Sequence, residues 1–183
     1  HFHTASLDQW LLDNGLTRSD FPTRDAALSA CIEAVKTHGQ ENTGVFGLRM
    51  QRGSFRYFIA QLALLAPQAT THRDLIETIF GATCFIHLTR KDKLDQAISR
   101  VIAQQTGLWH RAKDGSELER LAPPRPPHYD GDGIARHLAL LTQLDQEWQD
   151  WFTQQNIDPL RITYEELAQN PSAQLFRILT ALG

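Results

Sequence analysis

Phe85-Ile86-His87-Leu88-Thr89-Arg90-Lys91-Asp92-Lys93, followed by Leu94, Ala97, Ile98, Val101 and Ile102, is the stretch that decides the fold. Thr83 to Thr89 is a short run of β-favouring and apolar residues and reads as a buried strand. After Lys93 the apolar spacing changes to that of a helix with one buried face. A strand therefore runs through a cationic turn directly into a helix. Working outward, Gly44-Val45-Phe46-Gly47-Leu48-Arg49-Met50 reads as another short buried strand, and Pro159-Leu160-Arg161-Ile162-Thr163-Tyr164 as a third. Helical patterns separate the three. That order predicts an α/β fold, with right-handed crossovers and a parallel sheet flanked by helices on both faces. In open α/β sheets ligands collect outside the carboxyl ends of the strands. Met50, Arg90 and Tyr164, each at a predicted strand end, then share one rim.

The flanking helices carry start and stop signals. Ser6-Leu7-Asp8-Gln9 has the form of a capping box, and Gly15 ends the short helix behind it. Thr23 opens a second helix, with Ala27, Ala30, Cys31, Ala34 and Val35 directed inward, and Gly39 closes it. Ser54 and Thr71 start two more, stopped by Pro67 and Gly81. Ala112 to Gly133, rich in proline, reads as one long loop or lid, because irregular segments of that length are usually functional or disordered. A long helix with Ile134, Leu138, Leu141, Leu144, Trp148, Trp151 and Phe152 inward follows. Asn170-Pro171 opens the last helix.

The 183 residues suffice for a core without disulfides. Cys31 and Cys84 show no metal-ligand spacing and read as small buried hydrophobes in a reducing, cytoplasmic compartment. No apolar run reaches 18 residues, so no transmembrane segment is expected. A net charge of −3 argues against nucleic acid as a partner. The distribution is uneven. Ile86 to Arg125 holds eight basic and five acidic side chains, whereas Asp130 to Asn170 holds eight acidic and two basic. A local cationic patch on an acidic chain suits a small anionic ligand, although solvated faces give the same count.

Arg90 leaves its strand where the sheet opens to ligands, and its guanidinium fork matches two oxygens of a phosphate. Ser99 on the next helix adds a hydroxyl donor, and the helix start adds its dipole. Spacing alone also fits a surface arginine beside an unpartnered serine. His1-Phe2-His3 is a metal-binding type of pair with no supporting acidic or cysteine cluster, so no metal site is assigned. His87, on an apolar strand, reads as a satisfied core histidine. Trp109-His110-Arg111 at the end of the Arg90 helix could face a sugar, with Tyr129 and Asp130 from the loop as hydrogen-bonding partners. A tryptophan closing the core is the competing reading.

The segment from Phe85 to Ser99, continued by Gln104-Gln105-Thr106-Gly107-Leu108-Trp109, resembles the bacterial carbohydrate sulfotransferases, the family of the trehalose 2-sulfotransferase and the Nod-factor and lipopolysaccharide sulfotransferases. Gly44 to Met50, Ile134 to Phe152 and Pro159 to Leu167 resemble further parts of that family in the same order. The resemblance implies a P-loop-like α/β fold over residues 1–183. It also implies transfer of a sulfuryl group from 3′-phosphoadenosine 5′-phosphosulfate (PAPS) to a hydroxyl of a carbohydrate or glycolipid, with no metal. By the same resemblance Arg90 and Ser99 hold the 3′-phosphate of PAPS and Tyr164 lies near the adenine. Arg49 stands where the family often has lysine, and homodimers occur in the family.

The family's glycine- and serine-bearing 5′-phosphosulfate loop has no counterpart here, and no GxxxxGK[S/T] or GxGxxG occurs. The resemblance places that loop and the general base upstream of His1, and a further nucleotide-contacting segment beyond Gly183. The catalytic residue is therefore unassigned. A non-catalytic relative that binds a nucleotide or a protein remains the alternative, as does another nucleotide-dependent transferase on a similar frame.

Overall fold

A computed structural model describes residues 2, 4–40 and 43–183. The chain divides into two compact units, His1–Thr83 with Thr153–Ile157, and Cys84–Phe152 with Asp158–Gly183. The histidine pair at positions 1 and 3 lies outside the described residues.

The first unit is helical: α1 (Leu7–Asp13), a 3-10 turn (Arg18–Asp20), α2 (Arg24–Gln40), α3 (Arg52–Leu65) and α4 (His72–Phe80). Ser6 caps α1 by accepting from the Gln9 amide at 3.3 Å. The reciprocal half of the expected capping box is not made, because the Gln9 side chain turns to Asp13 instead, at 2.8 Å. Thr71 caps α4 through the Asp74 amide, and Gly81 ends it. The core gathers Phe2, Trp10, Leu28, Cys31, Phe58 and Leu62, all fully buried, with Phe2 meeting the edge of Trp10 at 4.5 Å.

Gly44 to Met50 is not a strand. The segment is irregular, with Val45 and Leu48 exposed. A strand is stable only when a neighbour satisfies its backbone groups, and among the described residues none pairs with this one. Met50 therefore ends no strand, and Arg49 is an exposed side chain on an irregular segment.

The second unit runs β1 (Ile86–Thr89), α5 (Lys93–Thr106), β2 (Leu108–Arg111), β3 (Glu117–Arg120), α6 (Gly131–Gln154), β4 (Leu160–Thr163), α7 (Tyr164–Gln169) and α8 (Pro171–Leu182). β1 and β4 pair in parallel, from Ile86 opposite Leu160 to Thr89 opposite Thr163. Residues alternate faces along a strand, so Phe85, His87 and Thr89 share one face. α6 covers it: Phe85 meets Trp151 edge-on at 5.8 Å, and His87 lies 5.4 Å from the Phe152 ring.

The opposite face departs from the expected double cover. On β4, Ile162 is buried and α7 and α8 pack against the strand. On β1, Ile86 and Leu88 are 40% and 56% exposed, and Cys84 on the same side is exposed, not a buried hydrophobe. Two strands form a sheet too narrow for the flanking helices to cover both of its faces along β1.

The region from Ala112 to Gly133 is also more ordered than one long loop. β3 lies within it and pairs antiparallel with β2. The turn between them closes through the Ala112 amide on the Ser116 carbonyl at 2.8 Å. Trp109 therefore sits on a strand and not on a helix end. Gly107 is the cause: at φ +73° it stops α5, and a Cβ there would come within 2.7 Å of Ala122. Residues 121–130 remain irregular.

Candidate functional site

The site is assembled at the carboxyl ends of β1 and β4, within the second unit. β1 delivers Arg90 and β4 delivers Tyr164, the first residue of α7. The Arg90 guanidinium carbon stands 4.6 Å from the centre of the Tyr164 ring, a cation–π stack. α7 is held in register by a reciprocal capping box: Thr163 Oγ1 accepts from the Glu166 amide, and Glu166 accepts from the Thr163 amide at 2.9 Å. Stacking on the ring fixes the plane of the guanidinium, whose side chain is 19% exposed. One edge nitrogen, Nη2, donates to Asp95 Oδ2. Nε is buried without a hydrogen-bond partner among the described residues.

Ser99 lies four residues after Asp95 on α5, on the same helix face, and is exposed. Two of the three residues expected around the nucleotide, Arg90 and Tyr164, are thus in contact. The third projects from the helix face that Arg90 meets through Asp95. Asp95, which sequence reasoning missed, puts a carboxylate where a phosphate oxygen would meet the fork. Its position four residues before Ser99 was the available signal.

The turn between β1 and α5 is fixed by the side chains of Lys93, Thr89 and Asp145. Lys93 Nζ donates to Thr89 Oγ1 and to the Arg90 carbonyl, each at 2.7 Å. Thr89 Oγ1 donates to Asp145 Oδ1 on α6 at 2.6 Å. The same Asp145 faces Lys93 at 3.4 Å and His87 Nε2 at 3.3 Å. Burial pushes the His87 imidazole below its usual range. Asp145 opposes that shift, and Arg161 and Lys93 reinforce it. His87 is thus a core residue with a partner.

Glu165 accepts from the Lys91 amide at 3.0 Å and the Asp92 amide at 3.2 Å. Burial raises its carboxyl pKa, but its own amide, those of Asp92 and Lys91, and the Arg90 charge outweigh this and hold it low. Asp92 caps α5 through the Asp95 amide at 2.8 Å. Carboxylates therefore take the Lys91 and Asp92 amides just before α5 and the Asp95 amide in its first turn.

The remaining expected residues lie elsewhere. Asp130 caps α6, accepting from the Gly133 amide at 2.8 Å, and Tyr129 is 88% exposed. Trp109 lines a groove of about 510 Å³ with Ile102, Thr106 and three arginines, Arg111, Arg120 and Arg125. Gln104 and Gln105 brace its surroundings: Gln105 Oε1 accepts from the His128 amide at 2.9 Å, and Gln104 Oε1 lies 2.9 Å from His137 Nε2. No cluster of three or more histidine, cysteine or acidic side chains suited to a metal occurs among the described residues. No helix among them is long and apolar enough to cross a membrane.

These features define an α/β protein with a cationic, aromatic-backed site at the carboxyl ends of a small parallel sheet. The chain belongs to the Stf0 sulphotransferase family, whose family model matches residues 1–183. It is 28% identical over 153 residues to a trehalose 2-sulfotransferase of Mycobacterium tuberculosis, covering 82% of this chain and 55% of that protein. It is 31% identical over 151 residues to a trehalose 2-sulfotransferase of Mycolicibacterium smegmatis, covering 81% and 54%. The chain thus spans about half the length of these curated relatives.

Proposed function

We propose that this chain is the part of a carbohydrate sulfotransferase that grips the 3′ end of PAPS, within a P-loop-like fold acting in the cytoplasm on a sugar or glycolipid hydroxyl. The observation that carries the reading is the Arg90 guanidinium, stacked on Tyr164 at the end of β1 with an unpartnered Nε. Membership of the sulphotransferase family and the trehalose 2-sulfotransferase names of two relatives support the reaction class and a sugar acceptor.

Arg90 offers a charge-assisted fork to the 3′-phosphate, Ser99 adds a hydroxyl donor, and Tyr164 holds the fork while presenting its ring edge to the adenine. Lys93 and Asp145 act as positioning residues by fixing the turn from which Arg90 projects. Sulfuryl transfer needs in-line alignment of acceptor oxygen, sulfur and leaving phosphate, with donors aimed at the equatorial oxygens. Arg90, Ser99 and Tyr164 serve the alignment by anchoring the far end of the donor, and take no part in moving the sulfuryl group. Trp109 and residues 121–130 border the acceptor, where the irregular segment would act as a lid.

Calorimetry with adenosine 3′,5′-bisphosphate, the desulfated donor product, tests this. The intact protein binds it, and Arg90→Ala weakens binding by more than tenfold. Equal affinity in the two proteins would remove the assignment.

A further inference from the structure

The groove around Trp109 holds more positive charge than the protein around it neutralises. Arg111, Arg120 and Arg125 line it. Glu117 is committed to Arg120 as an ion pair, and that contact, offset in part by burial and joined by the charge of Arg111, holds the Glu117 carboxyl below its usual range. Arg111 and Arg125 are exposed and make no side-chain hydrogen bond or ion pair to another described residue. The groove therefore keeps two guanidinium groups without an ion-pair partner, Arg125 and Arg111, the latter opposite Glu117 across the hairpin. Arg120 is fixed from behind by the Thr106 carbonyl at 2.6 Å, which anchors the hairpin to α5.

The floor is of a different character. Ile102 and Trp109 present apolar faces, flanked by Pro124 and Pro127, and Trp109 is 38% exposed within the groove. Proline restricts the backbone, so this wall loses less conformational freedom when a ligand is bound. An indole face suits the C–H face of a sugar ring, and a guanidinium fork suits phosphate, sulfate or carboxylate. The volume of about 510 Å³ lies within the range of small-molecule sites.

The groove also shares a surface with the Arg90 site. Asp95, Ser99, Ile102 and Thr106 recur at i, i+4, i+7 and i+11 on α5, so one helix face runs from the fork to the groove. Thr106 lies roughly 10 Å beyond Ser99 along the axis. A ligand in the groove therefore lies beside the donor anchor.

We propose that this groove binds a saccharide that already carries an anionic group, with Trp109 under the ring and Arg111 and Arg125 on the anion. The inference rests on the reading of Trp109 as bordering the acceptor, and it narrows the acceptor to a negatively charged sugar. The arginines recognise a group already present on the sugar, separate from the hydroxyl that receives the sulfuryl group.

The test is binding of glucose 6-phosphate, glucose and inorganic phosphate to the intact protein, followed by saturation-transfer NMR and calorimetry. Glucose 6-phosphate is expected to bind at least tenfold more tightly than either of the others. The Arg111→Gln/Arg125→Gln double variant should remove that advantage at an unchanged melting temperature, since both side chains are exposed. Trp109→Ala should weaken glucose 6-phosphate and leave inorganic phosphate unchanged. Equal affinity for inorganic phosphate and glucose 6-phosphate would overturn the proposal, because the groove would then be an unselective anion site. Loss of adenosine 3′,5′-bisphosphate binding in the double variant would also overturn it, by assigning these arginines to the donor. Failure of the donor reading looks different: Arg90→Ala would leave nucleotide binding unchanged while glucose 6-phosphate still required Arg111 and Arg125.

Discussion

At the residue scale, Arg90 and Asp95 present a competition. Asp95 is more than half exposed and its ion pair with Arg90 is screened, so the pair adds little to stability. Its effect on ligand binding is larger, because a carboxylate and a 3′-phosphate would share one fork. Asp95→Asn keeps the shape and an acceptor oxygen while removing the charge. We expect it to raise the affinity for adenosine 3′,5′-bisphosphate by roughly three- to fivefold, the effect of relieving an exposed like-charge contact. Calorimetry on the two proteins decides the matter; weaker binding by Asp95→Asn would show that the charge of Asp95 is needed to orient Arg90. Arg90 and Tyr164 were legible in the sequence because each ends an apolar run that reads as a strand. Asp95 was not, because it belongs to the polar face of a helix and acquires its role only through the turn that brings Arg90 back over it.

At the element scale, the parts that sequence patterns resolved were those with local causes. α5, α6 and α8 follow from their apolar spacing and end signals, as in the Asn170 side chain that caps α8 through the Ala173 amide. β1 and β4 also stand where they were read, shortened to four residues each. The Gly44–Met50 segment has the same apolar character but no partner strand among the described residues, and composition cannot report a missing neighbour. β3 escaped notice for the opposite reason. Glu-Leu-Glu-Arg has little strand character, and its conformation is imposed by pairing with β2 and by the Glu117–Arg120 ion pair. That hairpin is attached to α5 through Gly107, whose positive φ and close approach to Ala122 exclude a side chain. Gly107→Ala is therefore expected to destabilise the protein by more than about 1 kcal/mol. It should also loosen the groove around Trp109. Urea unfolding measures the first effect, and an unchanged midpoint would show that the turn relaxes without cost.

At the scale of the whole molecule, the net charge of −3 conceals a cationic site, and the titration of a few histidines matters more than the sum. His72, His87 and His137 each have a pKa held below the usual histidine value. Burial is the largest cause in each, and neighbouring arginines add to it. In the unfolded chain the same imidazoles take up protons near pH 6.5. Between that pH and their lower native values the unfolded state binds more protons than the folded one. Stability is therefore full above about pH 6.5 and falls as the pH drops below it, levelling only once the native imidazoles are protonated. The loss begins above the carboxylate range, so it is separable from ordinary acid denaturation. His87→Gln should reduce the slope of stability between pH 7 and pH 5 without abolishing it, since His72 and His137 contribute with the same sign. The measurement is a series of urea unfolding curves across that range. A slope unaltered by His87→Gln would mean that the Asp145 carboxylate stabilises the imidazolium as much as burial disfavours it. The imidazole behind Arg90 would then take up its proton over the same pH range in the folded protein as in the unfolded chain, with no effect on stability.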